Sequence, residues 1–350
     1  MKLFTVGPVE MYPETLKTEG SQLPYFRDES FSKIMKKCER LFLESVNAPD
    51  NALFVALTCS GTGGMDAVVQ NVLTKNDKAL VINAGSFGQR FYEICKNHEI
   101  PADTYDISFG ESFSPEKLEE FTGKGYTALL VNACETSTGY GFDLKFLGDY
   151  CKRNDLLFII DAVSSYLAAP LDMQKHNADV IITSSHKALA LSPGAVLIAM
   201  SEKAGRKVFD SKPSYYFDFK DYIENQKRGQ PPFTPVIGVF IAMAARLENI
   251  IQNGMDHMVK LHEDRAVYFR DTLKKLPLDI PGFTLSNCCT PVIFPENNAE
   301  ELYYRLKEKY GLVLTPTGGL LKKSLLRVGH LGNLRMEDYD FLIECLEKEL

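Results

Sequence analysis

"DVIITSSHKALALSPG", residues 179–194, sets a single lysine, Lys187, just past a run of apolar, mostly β-branched side chains. Such a run, bounded by small and turn-forming residues, reads as a strand buried on both faces. Lysine ordinarily keeps its ammonium in water, so one placed where a buried strand ends needs a reason. Upstream, "LLFIID" at 156–161 is a second run of the same kind and ends on Asp161. One right-handed βαβ crossover fills the interval between them, which puts Asp161 and Lys187 at the carboxyl ends of neighbouring parallel strands.

The pattern continues outward. "ALVIN" (79–83), "ALLVN" (128–132) and "AVLIAM" (195–200) read as further strands, and "SFGQRFYEICKNH" (86–98) and "LKFLGDYCKRN" (144–154) as helices. Apolar runs alternating with amphipathic stretches indicate an α/β fold around a mostly parallel sheet. From Pro235 the chain turns helical, with "VIGVFIAMAARLENIIQNG" (236–254) followed by "MDHMVKLHEDRAVYFRDTLKKL" (255–276). Short strands near "TPVIF" (290–294) and "LLRVG" (325–329), with helices at 299–311 and 336–350, complete a smaller α+β unit. The expected division is a large domain over 1–252, with an N-terminal arm at 1–16, and a small C-terminal domain over 253–350.

The net charge of -7 argues against a nucleic-acid or anionic-membrane partner, both of which need a concentrated positive field. No apolar run approaches the roughly 20 residues of a membrane helix, and "MKLFTVGPVE" lacks the apolar core of a signal peptide, so a cytoplasmic protein is expected. The eight cysteines contain no CxxC pair and read as reduced thiols. His257 and His262 fall on different helix faces, and no metal site is expected.

A lysine beside an aspartate in a sheet-edge crevice suits pyridoxal 5'-phosphate (PLP): the amine forms a Schiff base with an aldehyde and the carboxylate pairs with a ring nitrogen. Opposite charges about 4 Å apart at an effective dielectric near 20 attract by roughly 4 kcal/mol, enough to keep that nitrogen protonated. For these two residues alone, an Asp/Lys ion pair at loop ends is the alternative. "TCSGTGGMDAVVQNVL" (58–73) passes from small residues into an apolar helix, so the amides of Thr62, Gly63 and Gly64, with the Thr62 hydroxyl, offer a phosphate site at a helix N-terminus. A plain glycine-rich turn is the other reading. The segment matches neither GxGxxG nor GxxxxGK[ST], which disfavours a dinucleotide or nucleoside triphosphate. Phe87, just after "ALVIN", offers a stacking face or a core aromatic. Thr136, Ser137 and Thr138 follow "ALLVN" and offer hydroxyls to a cofactor or simply form a turn.

In this order "SGTGG" (60–64), "NAGSFGQR" (83–90), "ETSTG" (135–139), "DAVSS" (161–165), "SSHKA" (184–188) and "LLRVGHLG" (325–332) resemble the class V aminotransferases of the fold-type I PLP enzymes. The resemblance runs from "TVGPVEMYPE" to the C-terminus and is greatest to the branch with alanine–glyoxylate, serine–pyruvate and 2-aminoethylphosphonate–pyruvate aminotransferases. It implies a seven-stranded, mostly parallel sheet in the large domain and a PLP-dependent transfer of an amino group from a small amine or amino acid to pyruvate or glyoxylate. By it, Lys187 is the Schiff-base lysine and proton shuttle, Asp161 the pyridinium partner, and Val163 and Phe87 the residues under and over the ring. Thr62, Gly63 and His186 would contact the phosphate, and Thr136 the ring oxygen. Arg327 would grip the substrate carboxylate with a two-pronged fork that lysine lacks, a surface-edge salt bridge being its alternative. Thr234 in "PPFTPVIG" would be a phosphate ligand given to the neighbouring subunit of a homodimer.

Four residues bear on the choice of reaction. His186 before the lysine is similar to the cysteine desulfurase branch, but "TPTGGLLKKSLLR" (315–327) has no nucleophilic cysteine, and Cys288 and Cys289 read as packing residues of the small domain. Arg27, in "LPYFRDESF", is either a second positive charge for a phosphonate or a surface arginine.

Overall fold

A computed structural model describes residues 1–350. The main sheet has seven strands: β1 (Leu53–Thr58), β2 (Ala79–Asn83), β3 (Ala102–Asp106), β4 (Ala128–Asn132), β5 (Leu157–Asp161), β6 (Val180–Ser184) and β7 (Ala195–Met200). Their spatial order is β1-β7-β6-β5-β4-β2-β3, and β7 alone runs antiparallel to its neighbours. Every residue of β4 to β7 is buried, which is why these strands lack polar alternation. Successive side chains still point to opposite faces. Phe158 and Ile160 pack into one core with the helices Glu29–Ser45 and Ile237–Asn253. Ile159 packs into a second core with Gly61–Val72, Ser86–Asn97 and Glu202–Asp210.

The five expected strands form within a residue of their predicted bounds. Two were missed: β3, "ADTYD", lies at the sheet edge with Tyr105 its one buried residue and Asp103, Thr104 and Asp106 breaking any apolar run, and β1, "LFVALT", runs straight into the small residues that open the next helix. The expected helical crossover from β5 to β6 is corrected by the structure. Residues 162–179 form consecutive turns with no helix, closed by bonds such as Tyr166 N–H to Ala162 O and Ala168 N–H to Ser165 O. Pro170 and the left-handed Leu167 (φ 68°) interrupt any continuous helical path there.

The C-terminal unit packs the helices Ala299–Tyr310 and Met336–Glu349 on an antiparallel sheet of Cys289–Ile293, Leu325–Gly329 and Thr315–Pro316. The N-terminal arm departs from its assignment to the large domain. Lys2 and Leu3 pair in parallel with Leu312 and Val313, and Phe4 lies in the small domain's core. The 252/253 division falls at the end of Ile237–Asn253, one residue before Gly254 (φ 93°). The next helix, Met255–Leu273, buries Met258 against the large domain and Phe269 in the small one, so it serves both. No helix is long and apolar enough to cross a membrane.

Candidate active site

Asp161 is the last residue of β5, and Lys187 sits in the turn three residues past β6. Both side chains are buried, at 7% and 8% exposure. Asp161 Oδ1 accepts the Val163 N–H at 2.8 Å and Oδ2 accepts Asn132 Nδ2 at 2.6 Å. Burial pushes its carboxyl up to about 6, against the downward pull of those two hydrogen bonds and of the Lys187 charge. Burial likewise depresses the Lys187 ammonium, with Asp161 opposing. An amine held below its usual basicity is neutral more of the time and so serves as nucleophile and base. Its Nζ donates to the Val6 carbonyl, and Gly7 (φ 118°) leaves no room beyond: a Cβ there would lie 2.5 Å from Lys187 Cδ. The N-terminal arm thus covers the lysine.

At one end of this pair, Ser60 caps the helix Gly61–Val72 by accepting the Gly63 N–H at 3.3 Å. Val163 backs onto this turn, its methyls 3.1 and 3.2 Å from where a Cβ on Gly61 would lie. The Thr62 hydroxyl accepts from Arg90 Nη1 at 2.8 Å. Gly64 is a correction to the sequence reading. Its N–H is committed to Ser60 O at 3.1 Å, and an added Cβ would meet Val196 Cγ1 at 2.7 Å; this glycine seats the helix on the sheet and offers no free amide. His186 Nδ1 lies 3.3 Å from Ser184 Oγ, and burial pushes the ring down to about 4, so it is neutral at pH 7. Thr234 is exposed to solvent.

At the other end, Phe87 opens the helix Ser86–Asn97, whose N-cap, Gly85, has no side chain to cap it. The buried Glu135 carboxylate does so, accepting the N–H groups of Phe87 (3.1 Å), Gly88 (2.9 Å) and Ser137 (3.1 Å). Thr136 pairs its hydroxyl with Ser164 Oγ at 2.8 Å, and its carbonyl accepts Arg327 Nη1 at 2.8 Å. Arg327 Nη2 donates to Pro316 O at 2.7 Å, while its buried Nε has no partner. Phe87, Ser137, Thr138, Thr317 and Arg327 line a cleft of about 770 Å³ between the domains. Lys187 and Asp161 do not line it, because the arm covers one and Asn132 and Val163 enclose the other.

One further expectation changes. Cys288 and Cys289 belong to the site's wall as well as to the small domain: Cys288 Sγ donates to Ser164 O at 3.0 Å, and Cys289 Sγ lies 4.0 Å from Thr136 O. All eight cysteines are free. Arg27 spends its guanidinium on the carbonyls of Pro231 and Pro232, each at 2.8 Å, and does not reach the cleft. No group of three or more His, Cys, Asp or Glu side chains is placed to hold a metal. Sequence reasoning missed Asn132, Glu135, Arg90 and the Val6–Gly7 arm. Asn132 had a usable signal, since it ends β4 directly opposite Asp161.

The family model for aminotransferase class V matches residues 14–288. The chain belongs to the class V aminotransferases. It is 30% identical to an uncharacterized aminotransferase of Methanocaldococcus jannaschii, over 99% of this chain and 92% of that one. It is 27% identical to the L-aspartate–glyoxylate aminotransferase of Paracoccus denitrificans, over 95% and 86%. The crystal structure of an alanine–glyoxylate aminotransferase from Nostoc sp. superposes with a TM-score of 0.93 at 25% identity, covering 99% and 94%. This class V enzyme is a transaminase and its cofactor is PLP. The residues present fit that group. A buried carboxyl and a buried amine lie at adjacent strand ends, a capped helix N-terminus carries a hydroxyl, and Asn132 Oδ1 is buried without a partner beside Asp161.

Proposed function

We propose that the enzyme moves an amino group from a small donor such as alanine, serine or 2-aminoethylphosphonate to pyruvate or glyoxylate, acting as a homodimer with shared sites. PLP, when bound, supplies the aldehyde that takes up the amino group and the ring that accepts electrons from the substrate's α-carbon. Lys187 Nζ holds the cofactor between turnovers and moves the α-proton, while Asp161 holds the proton on the ring nitrogen. Val163 and Phe87 bracket the ring. Thr62, Gly63 and His186 face the phosphate, with Thr234 reaching the partner's site; its exposure supports a role across an interface. Thr136 lies by the ring oxygen, and Arg327 takes the substrate carboxylate.

The observation that carries this reading is Arg327. It is the one cation lining the cleft, it reaches from the small domain to Thr136, and its Nε is still unpaired. A single fork matches a single carboxylate. With Arg27 engaged elsewhere, the phosphonate donor loses its second cation, and alanine or serine becomes the favoured donor. A desulfurase reading finds no exposed thiol: Cys59, the least buried, is pushed up to about 12 by burial. The free thiols also support a reducing compartment such as the cytoplasm. The test is a screen of amino donors, following the absorbance of bound cofactor as it changes from the aldehyde to the amine form. Alanine or serine should drive that change without release of sulfide, and Lys187→Ala should abolish it. A Lys187→Ala protein that still fixes cofactor covalently on borohydride treatment would refute the assignment.

A further inference from the structure

Arg90 lies in the first turns of the helix Ser86–Asn97, three residues past Phe87. Its guanidinium makes two contacts: Nη1 donates to Thr62 Oγ1 at 2.8 Å, and the group sits over the Phe87 ring, 4.7 Å from the centroid. No carboxylate pairs with it. A guanidinium carries five donors, and one hydrogen bond to a neutral hydroxyl leaves both its charge and most of those donors uncommitted. Because Thr62 accepts from Arg90, its own hydroxyl hydrogen remains free to donate.

We propose that Arg90 is a phosphate-binding residue for the cofactor, a salt-bridge partner at the Thr62 turn that also props the outer face of Phe87. The inference rests on the reading of Thr62 as a phosphate ligand. A phosphate monoester carries roughly 1.5 to 2 negative charges at pH 7. The helix N-terminus supplies about half a positive charge, and His186 is neutral there. Arg90 brings the full positive charge that this side of the site otherwise lacks, in a planar fork matched to phosphate oxygens. Stacked on one face of Phe87, it leaves the other face to the cofactor ring, so one side chain ties the phosphate end of the site to the stacking end.

The test compares PLP with pyridoxal, the same ring without the phosphate. The full-length protein, stripped of cofactor, is titrated with each, and the holoenzyme's rate of cofactor loss on dialysis is measured alongside. Arg90→Gln should weaken PLP binding by about 10- to 100-fold, as for loss of a hydrogen bond to a charged group, and leave pyridoxal binding within about twofold. Arg90→Met, which keeps an apolar stem over Phe87, should show the same selective loss. Variants that retain the wild-type preference for PLP overturn the proposal. So do variants that lose both ligands equally, which would make Arg90 a prop for Phe87 alone, and so does a failure of both to fold. Wild-type protein that binds pyridoxal as tightly as PLP would instead remove the phosphate site at Thr62.

Discussion

Asp161→Asn should make the cofactor-free protein more stable and the enzyme worse. Burial holds the Asp161 carboxyl near 6 in the folded chain, whereas an unfolded chain would titrate it near 4. Between those two pH values the folded state binds more protons than the unfolded one, so this group lowers stability as pH rises. The penalty is absent below about pH 4 and complete above about pH 6. Two pH units at about 1.4 kcal/mol each give a ceiling of ~3 kcal/mol. Asparagine removes the charge with little loss of hydrogen bonding. Its carbonyl can accept the Val163 N–H, and a flip of Asn132 would turn that residue's unpartnered Oδ1 toward the new amide.

The assay is thermal unfolding of cofactor-free wild type and variant from pH 4 to 8. For a chain of this length ~3 kcal/mol corresponds to about 4 °C, so the variant should gain up to about 4 °C at pH 8 and almost nothing at pH 4. With PLP bound the sign reverses. With Asp161 in its proposed place by the ring nitrogen, losing its carboxylate would forfeit up to ~4 kcal/mol, a ceiling of about a thousandfold in turnover. A stability difference independent of pH would refute the reasoning, since the carboxyl would then not be held up by burial.

Arg327→Lys keeps a charge but loses the fork, and should cost about 10- to 100-fold in kcat/KM for alanine; cofactor affinity, measured by titration, should be unchanged. Gly64→Ala drives a methyl to within 2.7 Å of Val196 Cγ1 and 3.1 Å of Ile182 Cγ2, and should cost about 1–3 kcal/mol in urea unfolding of the holoenzyme. Gly7→Ala places a methyl against the Lys187 side chain at a positive φ and should slow cofactor attachment, read by stopped-flow absorbance, more than it lowers the unfolding midpoint.

The sheet was legible where burial on both faces forces a continuous apolar run. β4, β5, β6 and β7 satisfy that condition, and their five- or six-residue length between turn-forming residues marks them as strands. β3 is an edge strand: polar residues suffice on its open side, and no run forms. The link from β5 to β6 failed for a different reason. Parallel pairing requires that the chain return to the same end of the sheet, and the usual vehicle is a helix. Residues 162–179 make the return through turns whose backbone groups bond locally, a solution that leaves no periodic trace.

The site divides along the same physical line. Asp161 and Lys187 were readable because strand ends are fixed points in an α/β sheet, and chemistry at such ends can be inferred from where the apolar runs stop. Glu135 and Arg90 were not, because each acts on a partner far away in sequence. Glu135 caps a helix that begins some fifty residues earlier, and Arg90 reaches back to the turn at Thr62. The arm is the extreme case. Lys2 and Leu3 are pinned to Leu312 and Val313, while Val6 and Gly7 bear on Lys187. Arg327, on the strand Leu325–Gly329 whose Gly329 N–H donates to Phe4 O of the same arm at 2.7 Å, holds Thr136 of the large domain. The small domain therefore meets the site both at Lys187 and at Arg327, and any change in its seating must move the cover over Lys187 and the fork at Arg327 together.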